Sequence, residues 1–288
     1  MGIKGILFWR IIPGFVVAIA ATAGLILSHE FPLAFFLSTV TALSKGALPP
    51  LVFGHGKMRG TPEVPIDLMP LPRLMDELFL DLPGGGRLPQ QGIGMCCRAS
   101  ATDDVLVYRT VLWYILLGGR HIDGAHLYWN HVAIGRGIAE AIRRGVPREE
   151  IFVTTKIMPT HFGFESANEN VQKYLKELGL EYIDMVLLHW PKNFPLLSSP
   201  CQKEGKSPSE CRRDTWRALS DLREGGVIKN AGVSNFSLKH IKELESFGGA
   251  PIANNQISFH PFEPDHVMET VEYCQSNGIT ITAYSPLG

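Results

Sequence analysis

The sequence predicts a parallel (β/α)8 barrel, one unit short, and three observations carry that expectation. From Gln91 onward, short apolar runs alternate with amphipathic stretches of helical period, the pattern of a parallel sheet covered by helices. The first run, Gly92-Ile93-Gly94, lacks the third glycine and the downstream acidic residue of a dinucleotide fingerprint, which disfavours a doubly wound sheet. Three later runs end on an isolated polar residue, Asp123, Lys156 and His189, and barrels carry their chemistry at strand C-terminal ends.

In chain order, residues 1–46 stand apart as a hydrophobic targeting or membrane segment. Ile11 to Leu27 is apolar and uncharged, preceded by Lys4 and Arg10, and a second run covers Phe31 to Leu43. The first run is near the lower limit for a bilayer span and reaches it with Ile6-Leu7-Phe8-Trp9 if Arg10 snorkels. The second alone is too short. Three readings stay open: a single-pass anchor, a re-entrant pair within residues 5–43, or a targeting peptide removed near Ala21-Thr22-Ala23. A single span with Lys4 and Arg10 in the cytosol places the barrel in a lumen, and the re-entrant pair leaves it cytosolic. Residues 47–76 hold many Pro and Gly residues and read as a linker.

Residues 77–288 read as the barrel domain. It opens with a β-hairpin, Leu78-Phe79-Leu80-Asp81 and Leu88-Pro89, around the turn Pro83-Gly84-Gly85-Gly86-Arg87. Strands are expected at Gly92–Cys96, His121–Ala125, Ile151–Ile157, Ile183–His189, Ile228–Val233, Asn255–Phe259 and Ile279–Ala283. Helices are expected at Asp103–Leu117, Val132–Arg144, Asn168–Leu178, Asp214–Glu224, Leu238–Phe247 and His266–Ser276. A complete barrel of this TIM type has eight units in about 250 residues. The expected elements stop with the seventh barrel strand, so the eighth strand and its helices are expected to be missing.

A formal net charge of -1 gives no basic face for nucleic acid. Adjacent Cys96 and Cys97, and Cys274 in a helical pattern, read as core thiols. Cys201 and Cys211 flank a polar loop, and whether they pair is open. No metal-ligand set is read.

Asp123, Tyr128, Lys156 and His189 each have an ordinary structural reading, as ion-pair partners, packing groups or a hydrogen-bonded core imidazole. Together they form a proton-transfer set. A phenol titrates near about 10 and is a poor proton exchanger at neutral pH, whereas an adjacent ammonium favours the phenolate. Asp123 would hold Lys156 charged and in place, and His189 would orient a carbonyl beside Tyr128. Such a site protonates a carbonyl oxygen while a hydride reaches the carbon, and no side chain donates hydride.

The stretches Gly119–Tyr128, Ile151–Lys156, Val186-Leu187-Leu188-His189-Trp190-Pro191, Gly232-Val233-Ser234-Asn235-Phe236, Asn255-Gln256 and Ala283-Tyr284-Ser285-Pro286-Leu287-Gly288 resemble the aldo-keto reductase family in order and spacing. The resemblance implies reduction of small aldehydes or ketones with NADP(H). Tyr128 would be the general acid, surrounded by Asp123, Lys156 and His189. Ser234, Asn235 and Gln256 would hold the nicotinamide carboxamide, with Tyr284, Ser285 and Leu287 also at the cofactor. Trp190, with Tyr128 and His189, would meet the substrate. Two positions depart from the family: Trp129-Asn130-His131 lacks the usual Glu, and Met95-Cys96 replaces the usual Thr-Trp pattern. The alternative is a catalytically impaired, truncated barrel that acts as a binding or regulatory module or is an incomplete gene product. The substrate, oligomeric state and NADP-over-NAD preference are not legible.

Overall fold

The computed structural model describes residue 70 and residues 78–97, 103–193 and 197–287. The apolar runs within residues 5–43 and nearly all of the 47–76 stretch lie outside the described residues. Among the described residues, no helix is long and apolar enough to cross a membrane.

The expected hairpin is present: β1 (Phe79–Asp81) pairs antiparallel with β2 (Arg87–Pro89). Gly84, Gly85 and Gly86 turn it at φ of 94, 103 and 86°, values that suit residues without a Cβ. The barrel follows as β3 (Ile93–Gly94), α1 (Asp104–Leu116), β4 (His121–Asp123), α2 (His131–Arg143), β5 (Phe152–Ile157), α3 (Phe164–Leu178) and β6 (Ile183–Leu188). It continues through α4 (Pro200–Lys203), α5 (Pro208–Glu224), β7 (Ile228–Ser234), α6 (Leu238–Ser246), β8 (Asn254–Ser258), α7 (Asp265–Ser276) and β9 (Thr280–Tyr284). Among the described residues, β3 to β9 form one parallel sheet of seven strands in chain order, the staves of a barrel.

All seven expected strands are there, and the differences lie at their ends. The strand expected to reach Ala125 stops at Asp123, where the chain turns into a 3-10 helix at His126–Tyr128. Two helices begin a turn or more before their apolar period suggests. Helix α5 starts at Pro208 because Ser207 and Glu210 form a reciprocal capping box, which satisfies the first turn with polar residues. Helix α3 starts at Phe164, directly after Gly163 at φ 123°.

Two apolar layers result from the period-two alternation of the strands. Val153 and Ile157 of β5 join Val186 and Leu188 of β6 in the larger core, packed against the helices. Their neighbours Phe152, Met185 and Leu187 point the other way and form a second cluster with Leu82, Leu88 and Ala253. The hairpin therefore plugs the N-terminal end of the barrel, and Arg223 donates to the Gly84 carbonyl at 2.7 Å. Helices α2 and α3 approach so closely that a Cβ on Gly135 would sit 2.2 Å from the Leu178 carbonyl oxygen.

The cysteines correct one expectation. Cys96 is half-buried and Cys97 exposed, outside the core, because β3 ends at Gly94 and the chain leaves the sheet there. Their sulfurs are bonded to each other. Cys201 and Cys211, open in the sequence, form a buried disulfide that joins α4 to α5. Cys274 is a buried free thiol, as its helical pattern implied.

Candidate active site

Parallel strands in chain order bring their C-terminal residues to one end of the sheet. Asp123 closes β4, Lys156 is the penultimate residue of β5, His189 follows β6, Ser234 closes β7, Gln256 lies in β8 and Tyr284 closes β9. Tyr128 sits on the 3-10 turn just beyond β4. Lys156 shares the inward alternation of Phe152 and Thr154, so its stem rises from the apolar floor and its ammonium reaches the polar end. It is 1% exposed.

The proton-transfer set is assembled. Lys156 Nζ donates to Asp123 Oδ1, to the Gly124 carbonyl at 2.9 Å and to the Tyr128 hydroxyl at 3.3 Å. Those three acceptors use all three ammonium donors. The His189 ring stands edge-on to Tyr128, centroids 5.9 Å apart, and stacks on Trp190 at 3.7 Å. Burial disfavours the Lys156 ammonium, but Asp123 and Tyr128 together outweigh it and raise its pKa. His189 falls well below the ordinary histidine range, through burial first and then through the Lys156 charge, so it is neutral at physiological pH.

For Tyr128 the simple expectation fails. Lys156 does favour the phenolate, yet burial of the hydroxyl outweighs it, Asp123 adds to that, and the pKa is raised. The phenol thus remains a protonated donor throughout the neutral range.

The residues expected at a cofactor also gather, among themselves. Asn235, in the left-handed region at φ 63°, donates from Nδ2 to the His189 carbonyl at 3.0 Å and to Ser234 Oγ at 3.2 Å. The Tyr284 hydroxyl donates to Asn235 Oδ1 at 2.7 Å. Gln256 Nε2 donates to Asp123 Oδ2, which ties the amide group directly to the proton-transfer set. Ser285 and Leu287 are exposed beyond β9, with Leu287 92% exposed.

A supporting layer behind Tyr128 escaped the sequence reading. Asn130 Nδ2 donates to the Met95 carbonyl at 2.8 Å and fixes the turn against β3. His131, in the position where a Glu was expected, spans Thr155 Oγ1 at 2.8 Å and Glu177 Oε2 at 3.0 Å. The carboxylate missing from position 131 is supplied by α3. His126 stacks on Tyr174 and packs edge-on against His161, and burial followed by the His161 charge lowers it to about 3. The one sequence signal for this layer was the departure at Trp129-Asn130-His131. His131→Ala would remove the hydrogen bonds to Thr155 and Glu177, leaving Glu177 only the exposed Lys173, an expected cost of about 1–3 kcal/mol. Thermal unfolding checks it, and an unchanged midpoint would show that solvent replaces the imidazole.

Comparison with known proteins accords with this geometry. The model of the aldo/keto reductase family matches residues 84–288. The chain is 39% identical over 225 residues to glycerol 2-dehydrogenase (NADP(+)) of Saccharomyces cerevisiae, covering 73% of this chain and 68% of that protein. It is 35% identical over 210 residues to aldo-keto reductase family 1 member A1 of Rattus norvegicus, covering 71% and 63%. A crystal structure of a Bombyx mori aldo-keto reductase in complex with NADP superposes with a TM-score of 0.63 at 34% identity, over 72% of this chain and 66% of that one. The chain spans about two thirds of the length of these relatives, between 63% and 68% for the two curated proteins. With the matched segment covering most of the chain, the barrel and the strand-end residues in place, the chain belongs to the aldo/keto reductase family.

Proposed function

We propose that this barrel supports NADPH-dependent reduction of an aldehyde or ketone to an alcohol. The observation that carries the reading is the Tyr128 hydroxyl, a neutral donor 3.3 Å from a buried ammonium that Asp123 holds in place. NADPH, when bound, supplies the hydride that no side chain can give. The residues present suit its nicotinamide end: Ser234, Asn235 and Gln256 offer hydroxyl and amide groups that both donate and accept, beside the half-exposed ring of Tyr284. NADP rather than NAD rests on the relatives, a glycerol 2-dehydrogenase (NADP(+)) and an aldo-keto reductase crystallised with NADP among them.

The side chains divide the remaining work. Tyr128 gives its proton to the carbonyl oxygen as negative charge develops there. Lys156 stabilises the phenolate left behind, and Asp123 keeps Lys156 charged and aimed. Neutral His189 offers a ring nitrogen to the same oxygen and orients the carbonyl, while Trp190, stacked on it, holds the imidazole plane and presents an apolar wall to the substrate.

The direct test mixes the full chain with NADPH and benzaldehyde, following cofactor absorbance and the alcohol formed. Matched consumption and alcohol formation support the reading. Cofactor binding without any alcohol would reduce the barrel to a binding module. A pH dependence follows from Tyr128, whose raised pKa keeps the acid form in place below its ordinary value of 10.0. The reductive rate is therefore expected to show no Tyr128-linked decline between neutrality and that value. A descending limb centred near neutral pH would assign the proton to another group.

We also propose that the apolar runs within residues 5–43, which lie outside the described residues, attach the protein to a membrane or target it to one. Alkaline washing of membranes from expressing cells should leave the chain in the pellet, or yield a shortened soluble chain if the segment is removed. A full-length chain in the soluble fraction would sink both versions.

A further inference from the structure

Cys96 and Cys97 follow β3 just past its end, next to Met95, and the proposed reaction uses neither. Cys201–Cys211 is a useful contrast within the same chain. That disulfide is buried, its cysteines 3% and 1% exposed, and it joins two helices across ten residues of sequence separation. The Cys96–Cys97 bond closes no loop of chain, since its residues are adjacent, so it removes almost no unfolded-state entropy. A disulfide that stabilises little and lies at the surface is of the kind that thiols reach and open.

Its position links it to the catalytic set. Met95, immediately before the pair, is 1% exposed. Its N–H donates to the Asp123 carbonyl at 2.8 Å, and its own carbonyl accepts from Asn130 Nδ2 at 2.8 Å. Asp123 holds Lys156, and Asn130 leads the helix that follows the Tyr128 turn. Closing a ring across Cys96 and Cys97 therefore constrains the chain next to Met95, the residue on which both anchors meet. Cys97, at φ 68°, carries the chain away from the sheet, and its side chain is the exposed member of the pair.

We propose that Cys96 and Cys97 form a reversible dithiol–disulfide site on the rim of the barrel, one that exchanges with small thiols and disulfides. In the oxidising direction the exposed Cys97 thiolate attacks a small disulfide, forms a mixed disulfide and releases one thiolate. The Cys96 thiolate then attacks the Cys97 sulfur and releases the second. The two cysteines give up two electrons and two protons, and the small disulfide leaves as two thiols. The reducing direction reverses each step with two molecules of thiol. The consequence for rate rests on the reductase reading; the exchange itself does not.

The test equilibrates the full chain in glutathione and glutathione disulfide at graded ratios, then traps free thiols by alkylation. The tryptic peptide spanning residues 88–98 reports the pair alone, because Cys201 and Cys211 fall in other peptides. It is expected to pass from doubly alkylated to unalkylated as the ratio becomes oxidising, and to return on reversal. Over the same series the NADPH-dependent rate of the wild type should change by about fivefold or more, the scale of ordinary site-to-site coupling. The C96S/C97S variant should not respond. A peptide fixed in one form across every ratio overturns the proposal. An equal rate response in C96S/C97S assigns the switch to other thiols and overturns the link to the site. If no rate is seen at any ratio, the peptide titration still decides the exchange, and the loss counts against the proposed reaction.

Discussion

Tyr128→Phe will bind NADPH as the wild type does and lose its carbonyl reduction rate by about 10²–10⁴-fold, the contribution of a positioned general acid. The substitution removes one atom from a crowded place and leaves the rest standing. Lys156 keeps Asp123 and the Gly124 carbonyl as acceptors, and the ring keeps its edge-on contact with His189. The stability change is expected to be small, about 1 kcal/mol in either direction, because one hydroxyl and one hydrogen bond disappear together. Rate and cofactor affinity must therefore separate. A variant that binds cofactor normally and still turns over at the wild-type rate removes Tyr128 from the chemistry. A variant that loses cofactor binding as well places Tyr128 among the binding groups.

Much of this site was legible because parallel strands impose simple geometry. Lys156 and His189 each interrupt an apolar run with a single polar residue. In a buried strand such a residue has to point toward the interior or the strand end, where a partner must exist. Asp123 met Lys156 for that reason. The less legible features come from groups whose partners lie far away in sequence. Gln256, which the resemblance places at the cofactor, also reaches Asp123 across 133 residues, and nothing local in Asn254–Ser258 announces that pairing. His126, on the Tyr128 turn itself, packs with His131, His161 and Tyr174 from three other stretches, and only packing shows that they touch.

The sign of the Tyr128 shift was missed for a physical reason. Pairwise reasoning counts a neighbouring charge, here Lys156, and that charge does favour the phenolate. Burial is a property of the whole surroundings and has no signature in residue spacing. In this site burial is the larger effect, with Asp123 adding to it, so the pKa moves up. Helix starts failed similarly: Ser207-Pro208-Ser209-Glu210 is polar and breaks the apolar period, although its capping box begins the helix. The cysteine pair shows the same limit. Cys96 and Cys97 read as core thiols by residue type, and only the early end of β3 at Gly94 moves them out.

Lys156→Met will cost both stability and rate, and a second substitution separates the two. Lys156 is buried at 1% exposure against an Asp123 side chain that is 13% exposed. Removing one partner leaves the Asp123 carboxylate with the Gln256 amide alone, an expected loss of about 3 kcal/mol, at the lower end for a broken buried pair because Asp123 retains some solvent. For a domain of this size that is a fall of roughly 6–12 °C in the unfolding midpoint. The raised pKa of Lys156 sets the pH window: the pair contributes in full below the ordinary lysine value of 10.5 and weakens only as pH rises through the shifted value. The loss should accordingly be complete at neutral pH. Asp123→Asn together with Lys156→Met removes both charges while Gln256 retains an oxygen to bond. Exchanging both members of a buried pair for neutral groups is often near neutral, so the double variant should return to within about 1 kcal/mol of the wild type. Its rate should not return, because nothing is left to stabilise the Tyr128 phenolate, and a deficit on the order of 10²-fold or more should persist. Recovery of rate along with stability would make the ion pair a scaffold, and the proton relay through Lys156 would be wrong. Loss of rate in a refolded, stable double variant would establish that the charge, and not merely the packing, is what the barrel places beneath Tyr128.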